Sequence, residues 1–224
     1  MAVVDLDDAL GQKVAAAIYR ERPGAAMSAV ADVSSSADVQ RIVAQVVERF
    51  GGIDILVNNA GMTDHKNVLE LDEAEWDRVL AVSLKSVFLC SKYVAQQMVE
   101  QRRGGRIINM ASTSGHRGRP EATAYTAAKG GVLNLTRSLA VQLAPYGIRV
   151  NSVTPNQIGT PVGLDYIPER RQVKNLLGRP GVPEDVATAV LYLASADGDF
   201  ITAADLLVDG GALAGGNPFS APAP

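Results

Sequence analysis

Short β-branched runs alternate with longer amphipathic stretches along almost the whole chain, and few folds accept that alternation. "AVVDL" near the N-terminus reads as a strand, and the helix through "ALGQKVAAAIYRER" stops before the breaker pair Pro23-Gly24. "AMSAVADV" is a second strand. In "SSADVQRIVAQVVERFGG" a helix starts on a Ser35 or Ser36 cap, carries apolar residues every three to four positions, and stops at Gly51-Gly52. "IDILVNN" is nearly continuously apolar, as expected of a strand covered on both faces. From Leu71 to about Arg103 the pattern gives one long helix or two joined ones. The strand "GRIINMA" follows, then a helix from about Thr123 to Tyr146, the strand "IRVNSVT", a helix "VPEDVATAVLYLAS" opened by Pro183, and the strand "DLLVD". Such repetition requires crossover connections. The expected class is α/β, a doubly wound parallel sheet with helices on both faces.

The 224 residues, 47% of them hydrophobic and 20% charged, fit one domain over 1–211 with a Gly/Pro/Ala-rich, poorly ordered tail over 212–224. A net charge of −3 gives no electrostatic reason to expect nucleic acid or an anionic membrane as partner. Cys90 is the one cysteine and has no internal disulfide partner; its apolar helical setting, "SVFLCSKYV", marks a structural thiol. No apolar stretch is expected to reach the roughly 18 residues that span a bilayer, and no signal-like segment opens the chain, so the expected location is the cytoplasm. Asn156 to Arg179 is weakly patterned and too long for a simple connection, which points to a binding loop.

"YTAAK" is where chemistry is expected. Tyr125 and Lys129 stand four apart, on one face of a helix. A free phenol titrates near pH 10, and a neighbouring ammonium pulls it towards neutrality. Ser112 lies thirteen residues upstream, just past the end of a strand, where parallel-sheet sites form. Its hydroxyl is suited to hold a carbonyl or alcohol oxygen beside the phenol. Taken alone, Y-x-x-x-K is also a commonplace of surface helices.

In its wider pattern the chain resembles the short-chain dehydrogenase/reductase family, from Met1 to about Gly211. The resemblance is carried by "NNAG" (Asn58 to Gly61), "NMASTSG", "YTAAK" at the thirteen-residue spacing, "IRVNSVTP", "GRPGVPEDVATAVLYLAS" and "LLVDGG", in that order. It implies a Rossmann-like fold and an oxidoreductase that interconverts a secondary alcohol and a ketone with NAD(H). Tyr125 would be its acid/base, Lys129 the activator of Tyr125 and a ligand of the nicotinamide ribose, and Ser112 the group orienting the substrate oxygen. It further implies Asp5 on the adenosine ribose, Asp32 and Val33 near adenine, Asn59, Ala60 and Gly61 along the adenosine side, and Ile158 and Thr160 at the nicotinamide amide. A carboxylate at Asp5 repels a 2′-phosphate, so NAD(H) is expected over NADP(H). Relatives are commonly tetramers, so a homo-oligomer acting on a small molecule is expected. No metal is.

The chain departs from the family pattern at three places. The glycine-rich loop that precedes Asp5 in relatives is absent together with its strand, which leaves strand edges and apolar surface uncovered; the expectation is that the protein starts upstream. Ser83 stands where relatives carry the asparagine of a proton relay, which it serves with a shorter side chain. Asn156 replaces a glycine, a change that asparagine's tolerance of left-handed backbone makes mild. The competing reading is a non-catalytic or truncated relative that serves as an oligomer subunit. His65, His116, Arg117 and Arg119 read as solvated loop residues and Trp76 as a packing residue.

Overall fold

Two strands are buried along nearly their whole length, and the rest of the fold is laid around them. The computed structural model describes residues 1–159 and 173–215. In chain order these form β1 (Ala2–Asp5), α1 (Asp8–Glu21), β2 (Met27–Val30), α2 (Ser36–Phe50), β3 (Ile55–Asn58), α3 (Glu73–Leu80), α4 (Ser86–Gln101), β4 (Gly105–Met110), α5 (Thr123–Leu143), β5 (Ile148–Pro155), α6 (Pro183–Ala194) and β6 (Asp205–Val208). Adjacent residues of β4 face opposite layers, as the period-two pleat requires. Ile107 packs with Ile148, Val150 and the α4–α5 residues Val94, Met98 and Ala140. Ile108 packs with Met110, Val153 and the α6 residues Ala189 and Leu193. The result is the α/β arrangement expected from the sequence, with parallel strands between helices.

Helix limits follow local chemistry. Asp7 caps α1 by accepting from the Leu10 amide, and Ser35 caps α2 by accepting from Asp38. α2 ends on Gly51 at φ 77°, the left-handed conformation glycine adopts without penalty. The stretch expected to be one or two helices is a single run over Glu73–Gln101, in which the turn Ala81–Lys85 has π-type bonding. By length and composition alone this run would be apolar enough to cross a membrane, a test that a buried core helix also passes. In the fold its apolar face is spent internally, with Val79, Val87, Leu89, Val94 and Met98 all buried.

The sheet is in two parts among the described residues. β1 pairs with β2, and β3 to β6 pair in chain order, every pairing parallel. β1 and β3 thus each keep one unpaired edge. Exposed apolar side chains lie on β3 (Ile55 and Val57) and on α1 (Leu10 and Val14).

A buried polar chain ties β3 and β4 to the two central helices. The Asn58 amide donates to Ser91 Oγ at 3.1 Å and to Asn109 Oδ1 at 2.8 Å, and the Asn109 amide donates to Thr136 Oγ1 at 2.9 Å. All four side chains are buried, so each bond lost strands a polar group away from water. Replacing Asn109 by Leu is expected to lower stability by about 1–3 kcal/mol, read as a shift of the urea midpoint at unchanged slope.

Candidate active site

The residues named around "YTAAK" come together where β4 ends and α5 begins. Ser112 follows β4 and caps the short 3₁₀ turn Thr113–Gly115, its Oγ accepting from the Ser114 amide at 3.1 Å. Tyr125 sits in the first turn of α5, where Ser112 is near enough to its phenol to pull its titration down. Lys129, one turn on, is 4% exposed and donates from Nζ to the Met110 carbonyl at 2.6 Å. That Nζ lies 5.6 Å from the centre of the Tyr125 ring. A Cβ placed on Gly61 would stand 3.6 Å from both Lys129 Nζ and Ser83 Oγ, which puts the "NNAG" segment directly over the lysine.

Burial dominates the electrostatics. It drives the Tyr125 phenol above its ordinary value, against the opposing pull of the Ser112 hydrogen bond and the positive charge of Arg119. Burial also pulls Lys129 down to about 8. In the free protein Ser112 and Arg119 pull the phenol down against burial, and the Lys129 ammonium that the spacing argument named stands one turn away.

The sequence departures acquire specific geometry. Ser83 lies within the π-type turn, accepts from the Met62 amide at 2.9 Å and donates to the Met62 carbonyl at 2.7 Å, so its hydroxyl pins the segment after "NNAG". Asn156 is not the left-handed residue of its turn; Gln157 is, at φ 48°. The Asn156 side chain instead accepts from Thr113 Oγ1 at 3.0 Å, tying the segment after β5 to the serine turn. His116, expected to be solvated, is 2.8 Å from Asp205 Oδ2, and the same carboxylate accepts from Ser152 and Thr154. Cys90 is half-buried, with its thiol pushed up to about 11 by burial, which fits a structural rather than a reactive group.

The expected cofactor residues are distributed differently. Asp5 ends β1 with its carboxylate exposed, accepting from the Asp7 amide at 3.0 Å. Asp32 follows β2, its Oδ1 accepting from the Ser34 amide and hydroxyl, with half-buried Val33 between them. Asn59 and Ala60 are exposed just past β3. Ile158 follows β5 and bridges to Gly181, while Thr160 lies outside the described residues. These positions all follow the C-terminal ends of parallel strands, where open α/β sheets bind ligands. Their donors and acceptors (an ammonium, a phenol, a carboxylate at a strand end and the exposed Asn59) suit the hydroxyls and amide of a nicotinamide dinucleotide.

Two residues of the site were not picked out in the sequence. Asp64 is 1% exposed, and it accepts from the Tyr125 amide with one oxygen at 2.8 Å and the Ala124 amide with the other at 3.3 Å. A signal for it existed: Ala122, at the cap position of α5, has no side chain that could accept those bonds. The other is Gly115, which touches the α5 backbone.

A family model described as enoyl-(acyl carrier protein) reductase matches residues 1–212. The chain is 41% identical to the (2S)-[(R)-hydroxy(phenyl)methyl]succinyl-CoA dehydrogenase subunit of Thauera aromatica, covering 94% of this chain and 86% of the relative. It is 38% identical to a 2-(S)-hydroxypropyl-CoM dehydrogenase of Xanthobacter autotrophicus, covering 96% and 87%. Against the 3-oxoacyl-[acyl-carrier-protein] reductase of Thermotoga maritima the identity is 39%, covering 84% and 78%.

Gly115 sets the distance between the serine turn and the helix carrying Tyr125. A Cβ there would lie 2.7 Å from the Lys129 carbonyl oxygen and 3.0 Å from the Gly130 amide nitrogen, both backbone atoms that cannot swing aside. Gly115→Ala is expected to separate Ser112 from Tyr125 and cut turnover at least about tenfold, because small misplacements of reacting groups are costly. Steady-state kinetics beside a circular-dichroism check of folding reads this directly.

Proposed function

The chain belongs to the short-chain dehydrogenase/reductase family, and from that premise we propose that it interconverts a secondary alcohol and a ketone with NAD(H) as cofactor and Tyr125 as acid/base. The observation that carries this reading is the joint placement of Ser112, Tyr125 and Lys129 at the end of β4, with Ser112 acting on the phenol and the lysine buried one turn away. When bound, the nicotinamide supplies or accepts the hydride at its C4. In ketone reduction Ser112 holds the carbonyl oxygen, and the Tyr125 phenol passes its proton to that oxygen as the carbon gains hydride. In the reverse direction the phenolate takes the alcohol proton as the carbon loses hydride, so charge balances both ways. The ammonium of Lys129 would favour the phenolate in each case and, with the cofactor bound, would hold the nicotinamide ribose hydroxyls.

Asp5 is proposed as the ribose-binding carboxylate that favours NAD(H) over NADP(H), with Asp32, Val33, Asn59, Ala60, Gly61, Ile158 and Thr160 along the cofactor. Homo-oligomerisation and a cytoplasmic location belong to the same reading. Sugars, cyclic alcohols or diols and 3-oxoacyl thioesters are the substrate classes to test; the names of the relatives support the thioesters and add a hydroxypropyl compound.

The test is turnover of acetoacetyl-CoA, 1,2-cyclohexanediol and sorbitol, followed through nicotinamide absorbance. Tyr125→Phe is expected to abolish turnover while NADH binding is retained; undiminished turnover would remove Tyr125 from the chemistry. The pH dependence has a defined sign. Lys129 is charged below about 8 and loses its charge as the pH rises through that value, while the raised phenol stays protonated there. The rate of ketone reduction should hold steady at neutral pH and fall above about pH 8.

A further inference from the structure

Helix α5 begins without a cap of its own. Ala122 precedes it at φ 123°, a conformation side-chain-bearing residues rarely adopt, and it has no side-chain oxygen to offer the amides of Ala124 and Tyr125. Those amides are satisfied from sixty residues away in sequence by the two carboxylate oxygens of buried Asp64. The Lys66 carbonyl, two residues on, accepts from the Ala122 amide at 3.2 Å and the Thr123 hydroxyl at 3.2 Å. The segment after "NNAG" therefore forms the missing helix cap.

We propose that Asp64 is the positioning residue of the acid/base centre: it caps α5 in trans and so fixes where the Tyr125 side chain stands relative to Ser112 and Lys129. This rests on the reading of Tyr125 as acid/base. Tyr125 is the third residue of α5, and its own amide takes the shorter of the two Asp64 bonds, so the carboxylate holds the residue that bears the phenol. Side chains on a helix lean towards its N-terminus, which brings the phenol towards the end where Asp64 sits. A carboxylate there also offsets the positive end of the helix dipole. Ser112 and Arg119, the latter from the loop after the serine turn, act on the phenol, and Lys129 on α5 and Asp64 in the loop after β3 are the other charged groups around it. Because the same loop is pinned at Met62 by Ser83, the "NNAG" segment, the π-type turn and the first turn of α5 are held as one unit.

Asp64→Asn tests this with the full chain. Asparagine is isosteric but offers one acceptor where two amides donate, and it removes the charge. Carbon-13 labelling at Cζ of tyrosine, with the Tyr125 signal assigned by its loss in Tyr125→Phe, reads the phenol without substrate or cofactor. In Asp64→Asn the phenol is expected to titrate about half a pH unit lower, since a negative charge is lost and the helix dipole is no longer offset. Exchange of the Ala124 and Tyr125 amides should quicken about tenfold. Turnover should fall through kcat, with NADH affinity unchanged. If Asn does not sustain the fold, Asp64→Glu keeps the charge while displacing it, and should lower kcat with the phenol titrating as in the wild type. An unmoved phenol and unchanged amide exchange in a folded Asp64→Asn would overturn the inference, as would an undiminished kcat in Asp64→Glu. Full turnover in Tyr125→Phe would overturn the acid/base reading instead, and leave the cap standing.

Discussion

A lysine ammonium held out of water is the interaction on which the site depends. Lys129 is 4% exposed and spends one of its donors on the Met110 carbonyl at the last residue of β4. That bond docks α5 against the strand whose continuation carries Ser112. It can form only because the neighbouring chain comes close: Gly61 from one side, and Gly115 against the α5 backbone from the other. Burial lowers the lysine to about 8, so the fold keeps a cation where water would stabilise it better. Stability is given up locally for a charge beside a phenol, as is common where function is built into a fold.

Around that point the loops are clamped to one another more than to solvent. Ser83 grips both sides of Met62, Asp64 caps the helix of Tyr125, Thr113 bonds Asn156, and His116 meets Asp205. Each clamp crosses between segments that follow different strands. Beneath them the buried Asn58, Ser91, Asn109 and Thr136 chain fixes the strand ends. The cluster of Ser112, Tyr125 and Lys129 thus rests on satisfied polar contacts, the kind that hold side chains to a single geometry. Asp5 and Asp32 are held more openly, at the ends of a strand pair whose β1 edge is unpaired among the described residues.

Much of this was legible in the chain. The fold class followed from the alternation of short β-branched runs with amphipathic stretches, and α1, α2 and α3 start on ordinary side-chain caps. The grouping of Ser112, Tyr125 and Lys129 followed from spacing on a helix and at a strand end. What remained hidden was long-range. Asp64 reads as a polar loop residue until α5 is brought to it, and the Asp205 partner of His116 stands 89 positions away. The direction of the influences on Tyr125 was hidden too, since it is set by burial, which local spacing does not encode. Asn156 illustrates the same limit: backbone tolerance was the visible argument, but a side-chain bond to Thr113 is what the residue makes.

The measurement that bears most directly on a preassembled nicotinamide site is a fluorescence titration of the 224-residue chain with NADH, repeated with NADPH. Saturable NADH binding, tighter than NADPH and displaced by NAD, is expected from the carboxylate of Asp5 and the buried lysine beside Tyr125. No saturation with either nucleotide, or tighter binding of NADPH, would contradict it.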